Sequence, residues 1–511
     1  VNCNLNSNAA KHYLNNSFVF EFNNTPINAA TTLNTVTTRQ LLQQQNTKFS
    51  NDFSLLKILK SNKTLQYYSY IAYLNKPEIL EILPGINSGI FNNGIDYYSL
   101  KQKVNIPGFY NNNSIALGFT TKKINQLYKL GFTSQHQLLS LNLFVTQSDL
   151  STKILTDSFA NHLNYNNNTL KVTAKWEYMS DRLKASFTFP IDWVNIKQND
   201  EQKKQNKFPS FYGIILKPSL YLKYAVGKEN YLQSTFGYGN DVADVEQLYN
   251  GKILRNYQQL YYNNFTFSAQ NNLRANISFN YRKTIKILFA SIGLACSRVN
   301  SNSSTNRILQ NDMQITSLVG LANSMENISA NAGISKYIFK IHSTVSLKIN
   351  ASQSDWVKVQ NNLLLHYLNN SYSANFSITP KINKWLTAAY SSNFSLAESK
   401  NEIMKSNSQK TFQVKNSLEL NYMPTDNLFF TFNADDYYVK QYSNNQKYHY
   451  FFGDASCMYK FNKKKIDVKL LIQNVANVKE FKTLNLFGNM LTENINTIRP
   501  RAYMLKVYFN F

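Results

Sequence analysis

Six histidines could ligate a metal or move a proton: His12, His136, His162, His342, His366 and His449. They are scattered, and none stands in an HExxH-type arrangement that would put two imidazoles on one ion. His342 alternates with Lys340 and Thr344, which reads as a polar side chain on the wet face of a strand. Asp435-Asp436, and Asp241 with Asp244 and Glu246, carry the oxygen chemistry that Ca²⁺ needs, but solvated loop charge has the same composition. Cys3, Cys296 and Cys457 form an odd, sparse set without a CxxC, so neither a disulfide framework nor a zinc site is expected. Neither GxxxxGK[ST] nor GxSxG occurs. The expectation is a non-enzymatic protein without metal or cofactor.

The elements around these residues are therefore the informative part. At the C-terminus Tyr503, Leu505, Val507, Phe509 and Phe511 stand two apart, so in a strand they share one wholly apolar face. A barrel whose last strand closes onto its first has use for such an ending, because closure removes the exposed edge. The same two-residue alternation recurs upstream. Leu170, Val172, Ala174, Trp176 and Tyr178 alternate with Lys171, Thr173, Lys175 and Glu177, and Leu183, Ala185, Phe187 and Phe189 return after Ser180-Asp181-Arg182. Tight turns are expected near 62, 122, 181, 228, 283, 337, 382, 425 and 463. Polar loops separate them over 194–208, 238–262, 298–311, 350–360, 397–410 and 476–499.

Short connections at one end and long ones at the other are the signature of an outer-membrane β-barrel. The bulk composition agrees. No run of 18 apolar residues is present, and the most apolar stretch, Ile285 to Cys296, contains Lys286. Mean hydropathy is −0.38 although 43% of residues are hydrophobic, as strands with one wet face require. The expected fold class is all-β: a transmembrane antiparallel up-and-down barrel of about 20–22 strands with short periplasmic turns and long extracellular loops. Residues 1–45 read as a lead-in with a first strand over Phe18–Phe22 and a polar linker, and 46–511 as the barrel. The formal charge of +25 could attract anions. Lys, Asn, Ile, Tyr and Phe are enriched together, however, as a compositional bias would produce, and no nucleic-acid motif accompanies the lysines.

Near the C-terminus, Ile472-Gln473-Asn474-Val475-Ala476-Asn477-Val478-Lys479-Glu480-Phe481 resembles the Asn-Leu-Phe-Asn-x-x-Tyr segment of TonB-dependent receptors. Arg499-Pro500-Arg501, with the strand that follows, is similar to the last strand of Bacteroidota-type members. The matching positions are Asn474, Asn477, Phe481, Arg499, Pro500 and Arg501; Ala476 and Phe481 depart from the usual aromatic and Tyr. The resemblance implies an outer-membrane location, uptake of a bulky solute of siderophore, glycan or peptide class, and energy from a TonB complex. It further implies as partners outer-membrane lipid, the barrel assembly machinery, for which the last strand would be the insertion signal, and a surface lipoprotein. No plug domain or TonB-box-like segment is recognisable, and Val1 follows no signal-peptide pattern, so the chain is expected to be the barrel portion of a longer receptor or a divergent one. A passive porin and a structural or adhesive surface barrel are the alternatives.

Overall fold

The structure is a computed structural model. It describes all residues except 34–35, 201–209, 243–250, 264–267, 311–312, 402–407, 462–464, 488–489 and 510–511. In chain order the wall runs Asn2–Ala9, His12–Leu33, Val36–Leu59, then Lys63–Asn75 continued by Glu78–Leu83, then Ser99–Asn105 continued by Gly108–Thr120. Ile124–Thr146 follows, then Thr152–Leu155 with Asn161–Met179, Leu183–Asp200, Phe211–Leu216 with Ser219–Ala225, and Tyr231–Val242. The second half is Ala269–Lys283, Leu288–Ser301, Asn323–Ile338, Ser343–Gln360, Leu363–Pro380, Leu386–Asn401, Gln409–Thr425, Leu428–Gln441, Lys447–Phe461, Ile466–Gln473 and Ala502–Phe509. Each position pairs antiparallel with the next. The architecture is an all-β, up-and-down antiparallel barrel wall, with twenty-one positions among the described residues.

The register gives the wall two faces. Directly opposed residues point the same way. Tyr503, Leu505, Val507 and Phe509 stand opposite Ile472, Leu470, Val468 and Ile466. The set continues through Ala455, Cys457 and Tyr459, then Phe432, Phe430 and Leu428. Farther round, Ile334, Ala332, Ala330 and Ile328 oppose Ala290, Ile292, Leu294 and Cys296. These residues are half-buried or exposed although apolar: Ile292 is 58% and Ile328 59% accessible. On the alternate face of the same strands stand Ser291 and Gly293, Asn331 and Ser335, Ser346 and Lys348. Along Leu288–Ser301 the outward column runs Leu288, Ala290, Ile292, Leu294, Cys296 and stops at Arg298, which pairs with Glu326 at 3.4 Å. At about 3.4 Å per residue the apolar column is about 27 Å long along the strand, which at the usual barrel tilt of about 35–45° rises through about 20 Å of the ~25 Å band of an outer-membrane barrel.

At one end of the wall the connections are all short; at the other most are long, but Asn361-Asn362 joins Ser343–Gln360 to Leu363–Pro380 in two residues and Leu33 pairs with Val36 directly. Nine of the short ones coincide with the expected turns. The ninth, at 462–465, falls mostly outside the described residues, although Phe461 and Ile466 are paired at its base. A tenth, at Ala10-Lys11, joins Asn2–Ala9 to His12–Leu33. Several expectations are corrected. The polar linker before Gln45 is strand: His12–Leu33 and Val36–Leu59 pair along their whole length, from His12 opposite Lys57 to Leu33 opposite Val36, and the second runs through Gln45 without a break. Backbone pairing, not side-chain hydrophobicity, holds this stretch. The segment 350–360, read as a loop, is the end of Ser343–Gln360. His342 is not in a strand; it ends a short 3₁₀ turn with φ 43°, exposed to solvent. Finally, Asn2–Ala9 and Ala502–Phe509 run in the same direction, and no ladder joins them among the described residues. Two strands running in the same direction cannot form an antiparallel ladder with each other.

Candidate functional site

The inward face changes character along Ile124–Thr146. Near the short turns it shows Lys129, Gly131, Thr133 and Gln135; beyond Gln137 it becomes Leu139, Leu141, Leu143 and Val145, all 0% exposed. An apolar inward column is stable only if something covers it. Leu163, Tyr165, Val194, Ile196 and Ile215 of the neighbouring wall complete one side of a core, and Ile253 closes it. A second core joins Leu80, Ile82 and Leu100 of the wall to Leu254, Leu260 and Met313. Ile253, Leu254 and Leu260 belong to a hairpin, Ile253–Asn256 with Gln259–Asn263, drawn from the long connection after Tyr231–Val242, and Met313 opens the separate strand Met313–Val319.

One buried side chain fixes that hairpin. Gln102 donates its amide N–H to the Leu254 carbonyl at 2.9 Å, and its carbonyl accepts the Leu254 N–H at 2.8 Å. Gln102 and Leu254 are each 1% exposed. The amide thus imitates a strand neighbour and satisfies both polar groups of a buried backbone unit. Gln40 adds a second tie by accepting the Tyr257 N–H at 3.0 Å. Tyr97, against the same core, donates its hydroxyl to the Ile86 carbonyl and accepts the Ile86 N–H at 3.0 Å. Burial pushes the Tyr97 phenol well above its ordinary range, and burial lowers the Lys252 ammonium beside the hairpin.

From the hairpin a strand bridge continues. Gln259–Asn263 runs parallel to Met313–Val319, which pairs with Ser304–Gln310, whose Asn306 and Arg307 pair with Val359 and Gln360 of the wall. A beam of short strands therefore spans the mouth at its long-connection end. It joins the wall around Leu80–Val145 to the wall strand Ser343–Gln360. Tyr257, Tyr261 and Tyr262, three of the loop aromatics, are part of this beam rather than free; Tyr249 lies outside the described residues.

A second hairpin, Glu480–Phe487 with Met490–Thr497, folds over the mouth from the last long connection. Phe481 lies 5.2 Å from Tyr437, 5.1 Å from Tyr450 and 5.5 Å from Phe452, ring centre to ring centre. Tyr437 and Tyr450 are opposed on the inward face. Lys482 pairs with Glu493 at 3.3 Å, and Glu493 accepts the Tyr448 hydroxyl at 3.1 Å.

The structure brings four of the motif residues together as a clasp at the base of this hairpin. Asn474 (φ 51°) donates to the carbonyls of Val478 at 2.8 Å and Arg499 at 2.9 Å and accepts the Val478 N–H at 2.9 Å. Asn477 accepts the Arg501 N–H at 3.1 Å, and the Arg501 guanidinium donates to the Val475 carbonyl. Phe481 sits apart, in the aromatic cluster; Pro500 follows Arg499 in the link to the last strand. The clasp is structural: it ties the two feet of the hairpin. Asn474→Ala removes three hydrogen bonds of about 1 kcal/mol each and places a Cβ-bearing residue in a left-handed conformation that Asn tolerates better. Trypsin should then cut folded protein at Lys482 at least about tenfold faster than the unmodified chain, with Asn474→Gly intermediate.

Below the covers the lumen wall is polar. One recess of about 380 Å³ is lined by Tyr70, Tyr110, Asn112, Lys171 and Asp192, with Lys217 paired to Asp241 at 2.8 Å across it. Another of about 650 Å³ is lined by Arg282, Asn331, Lys348 and Asn350. A third, apolar recess formed by Leu386, Leu420, Tyr422, Phe430 and Leu470 is a groove of the outward face. Among the described residues no group of three His, Cys, Asp or Glu is gathered for a metal. Asp435 accepts from Ser417 while Asp436 meets His449 at 2.5 Å, because neighbouring strand residues face opposite ways. Asp241 is taken by Lys217, and Asp244 and Glu246 lie outside the described residues. Cys3, Cys296 and Cys457 are free thiols. Of the terminal apolar set, Tyr503, Leu505, Val507 and Phe509 face outward and Phe511 lies outside the described residues.

The alternation of Leu139, Leu141, Leu143 and Val145, out of phase with Tyr128, Leu130 and Phe132, was the signal in the chain for a covered inward face. Nothing in the sequence pointed to Gln102.

No protein-family model matches the chain, and no curated protein matches it. Among solved structures it is similar to the ferric-catecholate import receptor Fiu from E. coli K12 in its open form, at 9% identity and TM-score 0.38. That match covers 99% of this chain and 80% of that one. It is also similar to the ferric yersiniabactin uptake receptor FyuA from Yersinia pestis (8% identity, TM-score 0.39, 99% and 77% covered). A third is the siderophore receptor PiuA from Acinetobacter baumannii (10% identity, TM-score 0.38, 99% and 80% covered).

Proposed function

We propose that this chain is the barrel of an outer-membrane transport protein that takes up a bulky solute through a wide, gated lumen. The observation that carries the proposal is the beam: a two-faced wall, apolar outside and polar inside, whose mouth is crossed by hairpins anchored on buried cores. A wall of this many strands encloses a lumen far wider than its side chains can fill, and a mouth built to be covered suits selective capture better than free diffusion. The polar recesses beneath it are where a solute would rest. The short turns lie on the periplasmic side and the beam outside. In the manner of the receptors its C-terminal motif resembles, including those of Bacteroidota type, the barrel works with a TonB complex through a plug supplied from outside these residues. A surface lipoprotein completes capture, and Tyr503, Leu505, Val507, Phe509 and Phe511 form the signal read by the barrel assembly machinery.

A strain lacking the gene, grown with ferric siderophores, oligosaccharides or peptides as the limiting nutrient, should lose one class. Uptake of that class by the complemented strain should stop on adding an uncoupler. Uptake that persists in the uncoupler, with steady conductance of the reconstituted protein, would instead identify a passive channel.

A further inference from the structure

Three consecutive short turns differ from the others. Thr284-Ile285-Lys286-Ile287, Phe339-Lys340-Ile341-His342 and Lys381-Ile382-Asn383-Lys384-Trp385 join adjacent wall strands. They are tied side by side through Tyr337 N–H to the Ile287 carbonyl at 3.0 Å and Lys381 N–H to the His342 carbonyl at 3.2 Å. Each mixes lysine with bare apolar side chains: Ile285 is 93% exposed, Phe339 58%, Ile382 57%, and Trp385 and Ile341 45% each. None contains an acid. The remaining short turns at this end of the wall with described tips behave otherwise. Ser180-Asp181-Arg182, Gly227-Lys228-Glu229-Asn230 and Asp426-Asn427 carry acids, while Lys60-Ser61-Asn62 and Thr121-Lys122-Lys123 are wholly polar. Ala10-Lys11 offers only a methyl group beside its lysine.

A tip with Ile285 bare to water is unfavourable, because burial of such apolar surface is favourable, and five such residues stand together. Lysines beside them lower neither that cost nor one another's repulsion. None of Lys286, Lys340, Lys381 and Lys384 is in an ion pair among the described residues. Both features are relieved in one medium, the headgroup layer of a bilayer. There apolar tips reach acyl chains and ammonium groups reach phosphates. The patch is continuous with the lipid-facing band, since the Trp385 ring packs edge-on against Tyr422 at 6.1 Å, and Tyr422 opposes Phe430 on the outward face. That continuity favours lipid over a protein partner.

We propose that this arc of the short-turn rim is an anionic-phospholipid site. Ile285, Phe339, Ile341, Ile382 and Trp385 sit in the interface, and Lys286, Lys340, Lys381 and Lys384 bind the phosphates of acidic headgroups. The proposal rests on the reading of the wall as membrane-spanning. It assigns a leaflet preference to one sector of the rim, so that the barrel is held unevenly around its circumference.

The test uses the full chain with Trp176→Phe, Trp193→Phe and Trp356→Phe, which leaves Trp385 as the reporter, reconstituted in phosphatidylcholine bilayers. Brominated phosphatidylglycerol should quench Trp385 at lower mole fraction than brominated phosphatidylcholine does, with a relative association constant of at least about fivefold. Raising the salt to about 0.5 M should narrow the gap. Lys286→Gln, Lys340→Gln, Lys381→Gln and Lys384→Gln together should erase it. Changing Lys76, Lys153, Lys447 and Lys479 to Gln, at the opposite end, should leave it intact. Equal quenching by both lipids, or a preference that survives the first quadruple change, would overturn the site. Absence of quenching by either lipid would instead overturn the membrane-spanning reading on which it rests.

Discussion

Gln102→Leu should release the hairpin Ile253–Asn263 from the wall. The substitution keeps volume but leaves the Leu254 N–H and carbonyl without partners in a core where Leu254 is 1% exposed. Each orphaned group costs about 1–3 kcal/mol, so the closed arrangement loses about 2–6 kcal/mol. Local opening of a loop element needs less than global unfolding, so the hairpin should lift while the wall stays folded. Hydrogen exchange of the peptide 251–263 in the reconstituted protein should accelerate at least about thirtyfold, since 1.4 kcal/mol is a factor of ten. Exchange in Leu288–Ser301 should not change. Gln102→Glu should fall between, because a carboxylate can accept the Leu254 N–H but cannot donate to its carbonyl. If the beam is the gate, Gln102→Leu also raises conductance in planar bilayers. Unchanged exchange in 251–263 would mean the hairpin is held by the apolar cores alone.

The second large effect separates the two faces. Ile292 and Ser291 are neighbours in Leu288–Ser301 and point to opposite sides. Lysine at the lipid-facing midplane costs about 2–4 kcal/mol, whereas the lumen face tolerates charge. Ile292→Lys should therefore lower the stability of the reconstituted barrel by that amount, read as a shift of the urea midpoint or of the temperature at which heat-modifiable gel mobility is lost. Ser291→Lys should shift neither beyond about 0.5 kcal/mol. Equal shifts would deny that the wall has a lipid side.

The wall was legible in the sequence because its information is local. The hairpin through Ser180-Asp181-Arg182 declares its register by alternation on both arms, and its ladder, from Leu163 opposite Asp200 to Met179 opposite Lys184, follows. Asn2–Ala9 was not legible. Its residues alternate Asn with Cys3, Leu5, Ser7 and Ala9, a face too weakly apolar to declare a strand alone, and pairing with His12 to Val19 makes it one. Missing that one strand changes the parity of the wall and with it the relation between its first and last strands. The beam was illegible for a different reason. Gln259–Asn263 pairs with Gln314 to Leu318, distant in the chain and in parallel, and each partner is too short to show a period. The Asn474 motif was visible as a resemblance, but its work as a clasp depends on Arg499 and Arg501 being folded back against it. The lysine-rich turns read as compositional bias until the strands placed three of them side by side.

The central claim is that a continuous wall presents one face to lipid and one to a wet lumen. Its most direct test is a nitroxide scan of single cysteines from Phe289 to Ser297 in the reconstituted protein, with the native thiols replaced, reading accessibility to oxygen and to a water-soluble nickel chelate. The account predicts oxygen maxima at Ala290, Ile292, Leu294 and Cys296, and nickel maxima at Ser291, Gly293, Ala295 and Ser297, with a period of two. Uniform accessibility, or the two sets exchanged, would contradict it.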